Sequence, residues 1–308
     1  MRVITPDYYR EFRCIADKCR HSCCIGWEID IDPDTREKYR RISGAFGQWL
    51  NGSIDDGEVS TFRLGAGERC PMLNANGLCD LITELGEEHL CQICADHPRF
   101  RNYFTDHVEM GLGLCCEEAA RLILTRETPM QLIVLEDDGA EEPSDGYEVA
   151  LLAEREVLLH VLRDESIPLE ERLEELLRLG GRRISESDWV SIYRDLERLD
   201  PTWDHCLDML DVRRSAPKHL HSALTRFCEY MLYRHLPGAL EDDDLPGRAA
   251  FCVLSTRMLA ALCAAKEDCT LTDCLEFARM YSAEIEYSED NIAALLDALW
   301  EENDGDFA

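Results

Sequence analysis

Basic residues are scarce in this sequence, lysine most of all. Of 308 residues, 32 are Lys or Arg against 63 Asp or Glu, a formal net charge of −31. Lysine occurs only at Lys18, Lys38, Lys218 and Lys266. A field of that sign repels nucleic-acid phosphates and anionic membrane surfaces, so neither is an expected partner. Long apolar runs are missing too. The nearest, Ala249 to Ala265, is interrupted by Arg257 and reads as a buried helix. Met1 to Pro6 has no apolar run of the signal-peptide kind, which makes the cytoplasm the expected location. Several motifs are absent as well: Gly-x-Gly-x-x-Gly, the Walker A loop and the Gly-x-Ser-x-Gly elbow. His89, His97 and His107 do not fall at the i, i+4 spacing of zinc proteases. An ordinary nucleotide-binding sheet is therefore not expected.

Cysteine is what the chain has in excess. There are sixteen, and ten lie within the first 116 residues. In a reducing compartment such clustering points to metal binding or redox chemistry before structural disulfides. The order is Cys14, Cys19, Cys23-Cys24, then Cys70 and Cys79, then Cys91-x2-Cys94, then Cys115-Cys116. Thiolate is a soft ligand that suits iron–sulfur clusters and zinc alike, and the spacing leaves the choice between them open. The Cys-x3-Cys-x2-Cys pattern of radical enzymes fails at its third position, which is Gly26. Adjacent cysteines rarely serve one ion together, and Gly26 would permit the chain to bend beside Cys23-Cys24. Cys206, Cys228, Cys252, Cys263, Cys269 and Cys274 sit singly on apolar helical faces and read as core packing.

Charge and pattern divide the chain at about the same place. Residues 1–120 carry 13 basic and 21 acidic side chains, net −8; residues 121–308 carry 19 and 42, net −23. The acidic, turn-rich stretch Glu136 to Gly146 reads as a linker between a cysteine-rich domain (1–135) and a helical domain (147–308). Beyond it, apolar residues at three- and four-residue spacing predict helices over Glu148–Arg163, from Ser166-Pro168 to a stop at Gly180-Gly181, and over Ser185–Leu199. Four more are predicted over His219–Leu236, Arg248–Lys266, Thr272–Tyr287 and Ser288–Trp300. In the first domain the pattern predicts a helix over Asp34–Leu50 and a short strand over Trp27–Ile31. Phe62 to Gly86 reads as loops that a metal would order. The expected fold class is mainly α, with an irregular cysteine-rich metal-binding amino-terminal domain followed by an α-helical one.

The same residues, taken in order, carry a resemblance. Tyr8 to Cys14, Cys19, Cys23-Cys24-Ile25-Gly26-Trp27 and Ile29 to Asp32 look like the opening of the flagellin lysine N-methylase family. Cys70-Pro71-Met72-Leu73, Gly77-Leu78-Cys79 and Leu90 to Cys94, ending in His97-Pro98-Arg99, resemble its middle. Cys116 to Leu124 resembles its "CPEAARL" segment, with Glu117 in place of proline. A broader class, the cysteine-rich zinc- or iron-chelating domains, shares an early cysteine pair and the late Cys…Pro-Arg. The resemblance covers residues 1–125 closely and the remainder loosely.

What the resemblance implies is an S-adenosylmethionine-dependent transfer of methyl groups to lysines of flagellin, with a [4Fe–4S] cluster. Zinc is the alternative metal. The family cysteines carry over to Cys14, Cys19, Cys23, Cys24, Cys70, Cys79, Cys94 and Cys116; Cys91 and Cys115 are additions. Eight exceed the four that one cluster needs. Trp27 and Arg99 are the cofactor-binding candidates, with a structural ion pair as the other reading of Arg99. Tyr8, Tyr9, Glu28, Tyr103 and Glu109 are candidate polar groups for the transfer. Two rival readings stand beside this one: a metal- or cluster-carrying protein with a helical docking domain, and a redox protein using Cys91-x2-Cys94 as a dithiol.

Overall fold

A computed structural model describes residues 1–139, 143, 145–182, 184, 189–210 and 214–304, the last four without their side chains. The protein is mainly α, as expected. Its strands, in chain order, are β1 (Arg2–Pro6), β2 (Asp30–Ile31), β3 (Ile54–Asp56), β4 (Ser60–Phe62), β5 (Arg99–Tyr103), β6 (His107–Leu112) and β7 (Leu132–Glu136). The chain groups into two compact units. One comprises Met1–Phe12, Phe100–Cys115 and Ala119–Ala308; the other comprises Arg13–Arg99 with Cys116–Glu118.

The larger unit is built of helices with a small sheet. The sheet order is β5-β6-β1-β7. β1 runs parallel to β6, with Arg2 opposite His107 and Val3 opposite Val108, and antiparallel to β7. The parallel pairing joins positions about a hundred residues apart, and periodicity within either segment does not reveal it. Helices follow at Gly146–Leu162, Leu169–Gly180, Trp189–Asp195, Pro201–Asp208, His221–His235, Leu245–Ala265, Leu271–Tyr281 and Glu289–Asp304. Gly181 ends the second of these in the left-handed conformation at φ +80°, where glycine carries no Cβ penalty. The helix expected from Ser185 is observed from Trp189; its expected start lies outside the described residues, as do residues 140–142 and 144 of the acidic stretch. Asp200 and Pro201 start a helix that apolar spacing alone did not signal, with the Asp200 carboxylate accepting from Thr202 N–H.

Leu245–Ala265 is the central helix of this unit. It is apolar nearly all round, which suits a helix enclosed by others. Phe251, Cys252, Val253, Leu254, Met258 and Leu259 are fully buried. The helix has the length and hydropathy to cross a membrane, yet 78% of that stretch is buried inside the protein. Around it lie buried charges held by partners. Arg155 grips Glu109 through two hydrogen bonds of 2.7 and 2.5 Å. Glu229 pairs with Arg163 at 2.6 Å, and Glu286 accepts from His235 at 2.7 Å and Tyr230 at 2.8 Å.

The smaller unit has little regular structure. β2, β4 and β3 form a sheet in that order. The helix expected over Asp34–Leu50 is broken into Pro33–Arg40 and Gly44–Gly52. The break falls at Ile42-Ser43-Gly44, where Gly44 turns with φ +84°. The strand expected over Trp27–Ile31 shrinks to two residues, extended by Phe62 N–H donating to the Ile29 carbonyl. The core of the unit is Ile29, Ile31, Tyr39, Leu50, Ile54, Phe62, Met72 and Leu81, with cysteines among them.

Candidate thiol centre and adjoining cavity

No cysteine is disulfide-bonded. Nine of the ten amino-terminal cysteines fall in the smaller unit, and they form two groups there rather than one. The first group is Cys14, Cys19, Cys23 and Cys116. Its thiols lie within electrostatic reach: Cys19 senses Cys116 and Cys14, and Cys23 senses Cys14 and Cys116. Local hydrogen bonds place it. A single turn at Ala16–Lys18 brings Cys19 N–H to the Ala16 carbonyl at 3.1 Å, and Ala16 N–H donates to the Cys14 sulfur at 3.4 Å. Glu117, which stands where the resembled family has proline, accepts from Arg20 N–H at 2.9 Å and from Arg20 Nε at 3.0 Å. That carboxylate ties the Cys19 loop to the residue next to Cys116. Burial pushes the Cys19 thiol up to about 11.

The second group is Cys24, Cys70, Cys79, Cys91 and Cys94, set in or against the apolar core of the unit. Cys70 senses Cys24, Cys79 and Cys91; Cys94 senses Cys91, Cys24 and Cys70. The backbone holds them in register. Cys70 N–H donates to the Cys24 carbonyl at 2.8 Å, and Asp80 N–H to the Met72 carbonyl at 2.7 Å. Asp32 caps two helices at once: Oδ1 accepts from Thr35 N–H at 2.9 Å, and Oδ2 from Gln92 N–H, just after Cys91, at 2.8 Å. Pro33 directly after Asp32 is a local signal for the first of these caps; no local signal marks the reach to Gln92. Tyr39 O–H donates to the His89 carbonyl at 2.6 Å and closes the same region. Burial pushes the Cys70 thiol up to about 12. A hydrogen bond from Cys23 brings Cys24 down to about 7.

Cys23 and Cys24 are thus neighbours through which the two groups touch. Cys23 is exposed and Cys24 half-buried against the core, with their thiols in hydrogen-bonding contact. Gly26, two residues on, has φ +93°, and its N–H donates to the Glu68 carbonyl at 3.2 Å. Cys115 belongs to the other unit and bonds to Tyr287 there.

Eight candidate thiols are more than one cluster needs, and this division sorts them into two sets of four, with Cys91 beside the second. Among the described residues, no three His, Cys, Asp or Glu side chains stand around one point as a metal ion needs. Zinc requires sulfurs at about 2.3 Å from that point. Tested against an inorganic group, the donor chemistry fits: each group supplies four positions of the resembled family, all soft thiols.

Trp27 anchors its indole N–H on the Cys23 carbonyl at 2.6 Å and lies near the His97 ring, centroids 6.2 Å apart. It lines a cavity of about 380 Å³ together with Gly26, Glu28, Asp55, Arg63 and Glu68. Asp55 is committed to Arg63 at 2.5 Å. Arg99 donates to the Ala95 carbonyl at 3.1 Å and is not among the residues lining that cavity. Burial, with Arg99 nearby, brings His97 down to about 4.

The other candidates separate by burial. Tyr8 is buried in the larger unit with the Arg126 guanidinium 5.3 Å from its ring centroid, and burial pushes its phenol up. Tyr9 is half-buried in the same unit. Glu109 is buried and held as a carboxylate by Arg155 and His107. Tyr103 is 69% exposed. Of the five, Glu28 alone lines the Trp27 cavity.

Comparison with known proteins finds similarity over 140 residues. The chain is 30% identical to a protein named Lysine-N-methylase from Salmonella typhimurium, across 42% of this chain and 34% of that protein. The same values hold for the Lysine-N-methylase of Salmonella choleraesuis. It is 28% identical to a protein named Flagellar biosynthetic protein FliU from Salmonella muenchen, across 42% of this chain and 81% of that one. The chain thus spans about a third of the length of the first two. No family model matches it, and no solved structure does.

Proposed function

We propose that this chain is a protein-lysine N-methyltransferase of the cytoplasm. In this reading it takes its methyl group from S-adenosylmethionine, acts on flagellin and holds a [4Fe–4S] cluster on amino-terminal cysteines. The similarity to proteins named Lysine-N-methylase carries the reading. The name Flagellar biosynthetic protein FliU supports the choice of substrate. We assign the cluster to Cys24, Cys70, Cys79 and Cys94, because the apolar residues around them would keep solvent from it. Cys14, Cys19, Cys23 and Cys116 form the second candidate ligand set.

S-adenosylmethionine supplies a methyl carbon on a cationic sulfonium. The chain's part is to bind that cation, align an uncharged lysine amine with it and exclude water. The Trp27 cavity suits the task. An indole face attracts a cation, and Glu28 and Glu68 add carboxylates beside it. Glu28, with Glu68 beside it, is the carboxylate we assign to receive the proton the lysine ammonium must lose. As the amine lone pair bonds to the methyl carbon, the carbon–sulfur bond breaks and its electron pair stays on sulfur.

The test is incubation of anaerobically purified protein with S-adenosylmethionine and flagellin, followed by mass spectrometry of lysine peptides. Methylated lysines that diminish with Glu28→Gln are the expected result. Cluster-loaded protein that leaves every lysine unmodified would falsify the enzyme reading. The two thiol groups, which exist without reference to the cavity, favour a second reading: a zinc- or iron-chelating protein with a helical interaction domain. Metal retention without methyl transfer is its signature.

A further inference from the structure

The wall of the Trp27 cavity carries four charged side chains: Glu28, Asp55, Arg63 and Glu68. Two of them satisfy each other. Arg63 Nε donates to Asp55 Oδ1 at 3.1 Å, and its Nη1 donates to the Gly52 carbonyl at 3.1 Å. The side chains of Glu28 and Glu68 have no hydrogen bond or ion pair among the described residues. One guanidinium against three carboxylates leaves this wall negative beside the indole ring. Arg69, next along the chain, is not on the wall, and its guanidinium donates to the Leu73 and Asn74 carbonyls at 3.1 and 2.7 Å. Glu68 is also held at a cost. Gly67 and Glu68 are left-handed in succession, at φ +67° and +54°. Gly65 N–H donates across this turn to the Arg69 carbonyl at 2.8 Å, and the Glu68 carbonyl accepts from Gly26 N–H at 3.2 Å. Such mirror-image turns favour glycine or asparagine, because a Cβ crowds the backbone there. Glutamate brings the turn no hydrogen bond of its own in exchange.

We propose that Glu68 is a specificity-determining residue: with Glu28 and the Trp27 ring, it makes the cavity select the sulfonium cofactor over the neutral thioether that the cofactor becomes. The proposal rests on the methyl-transfer reading and gives that reaction a way to clear its product. When the lysine nitrogen takes the methyl carbon, the carbon–sulfur bond breaks and its electron pair stays on sulfur. S-adenosylhomocysteine therefore carries one positive charge fewer than S-adenosylmethionine, and the two differ only by the methyl group. Attraction of a cation to the indole face and to two carboxylates acts on the sulfonium and not on the thioether. The transfer itself loosens the hold on the product, and fresh cofactor replaces it. The Asp55–Arg63 pair, closed on itself, does not distinguish the two ligands.

The experiment is calorimetric titration of the intact chain, purified without oxygen, with three ligands: S-adenosylmethionine, S-adenosylhomocysteine and sinefungin, whose ammonium stands where the sulfonium does. Both cationic ligands should bind roughly tenfold more tightly than S-adenosylhomocysteine at low salt, and the ratio should shrink as salt is raised. Glu68→Asn should bring the three affinities within about threefold of one another. Its melting temperature should hold or rise, because asparagine accepts the left-handed backbone more readily than glutamate. Wild-type protein that binds S-adenosylhomocysteine as tightly as S-adenosylmethionine would overturn the proposal, as would a Glu68→Asn chain that keeps the tenfold ratio. A Glu68→Asn chain that melts lower or does not fold would assign the side chain to the fold and overturn it too. Lysine methylation, followed separately by mass spectrometry, tells the two failures apart. Methylation with equal affinities removes only the selection by charge; loaded protein that neither methylates nor binds any of the three removes the reading beneath it as well.

Discussion

Glu286 offers a test of the helical unit that its geometry makes quantitative. Its carboxylate is fully buried, and Oε2 takes all the contacts: Tyr230 O–H at 2.8 Å, His235 Nε2 at 2.7 Å and Arg234 Nη1 at 3.3 Å. Oε1 has no hydrogen-bond partner among the described residues. Burial alone would raise the pKa; Arg234, His235 and Tyr230 outweigh it and bring it from 4.5 down to about 2. Glu286→Gln keeps the shape and removes the charge, leaving Arg234 buried without its counter-ion. Breaking such a pair costs about 3–5 kcal/mol. The downward shift points the same way, since a carboxylate whose charged form is favoured by folding stabilises the folded state. Because the folded pKa is depressed, this stability is fully present above pH 4.5 and drains away as pH falls toward 2. Urea unfolding of both proteins at pH 7 and stepwise below pH 5 measures it. The expected gap is about 3 kcal/mol at pH 7, or a loss of about 6–12 °C in Tm, narrowing steadily below pH 4.5. A gap under about 1 kcal/mol, or one that ignores pH, refutes the reasoning.

Other predictions concern the amino-terminal unit. Cys79→Ala should lose bound metal while Cys19→Ala and Cys252→Ala keep it; equal retention in all three, by elemental analysis, removes the ligand assignment, and loss with Cys19→Ala alone moves it to the second set. Asp32→Ala uncaps two helices, so it should destabilise the unit by about 2 kcal/mol in chemical unfolding. A change within error would show that water replaces both caps at no cost. Trp27→Ala should raise the concentration of S-adenosylmethionine needed for half-maximal methylation by roughly tenfold, through the lost ring face. An unchanged requirement would place the cofactor elsewhere.

What the sequence revealed depended on how local the cause was. The helix Leu169–Gly180 was legible to within a few residues because Pro168 and Gly181 are local punctuation. The helix Leu245–Ala265 was legible as buried because its apolar residues leave no polar face. The split between Arg40 and Gly44 was missed because the apolar pattern runs through Ile42 while Gly44 turns away. The sheet of the larger unit was missed because β1 finds its partners more than a hundred residues later. At the candidate site, the density of cysteine was plain and its partition was not. Chain order places Cys23 beside Cys24 and Cys115 beside Cys116; only the folded backbone sends the members of each pair to different surroundings.

The decisive property of the smaller unit is whether its buried thiols bind an inorganic group. Elemental and acid-labile sulfide analysis of protein made and purified without oxygen, beside its visible absorption spectrum, measures this. The expected outcome is a brown protein with about four irons and four sulfides per chain. A colourless protein whose amino-terminal cysteines all titrate as accessible thiols, with neither iron nor zinc, contradicts it.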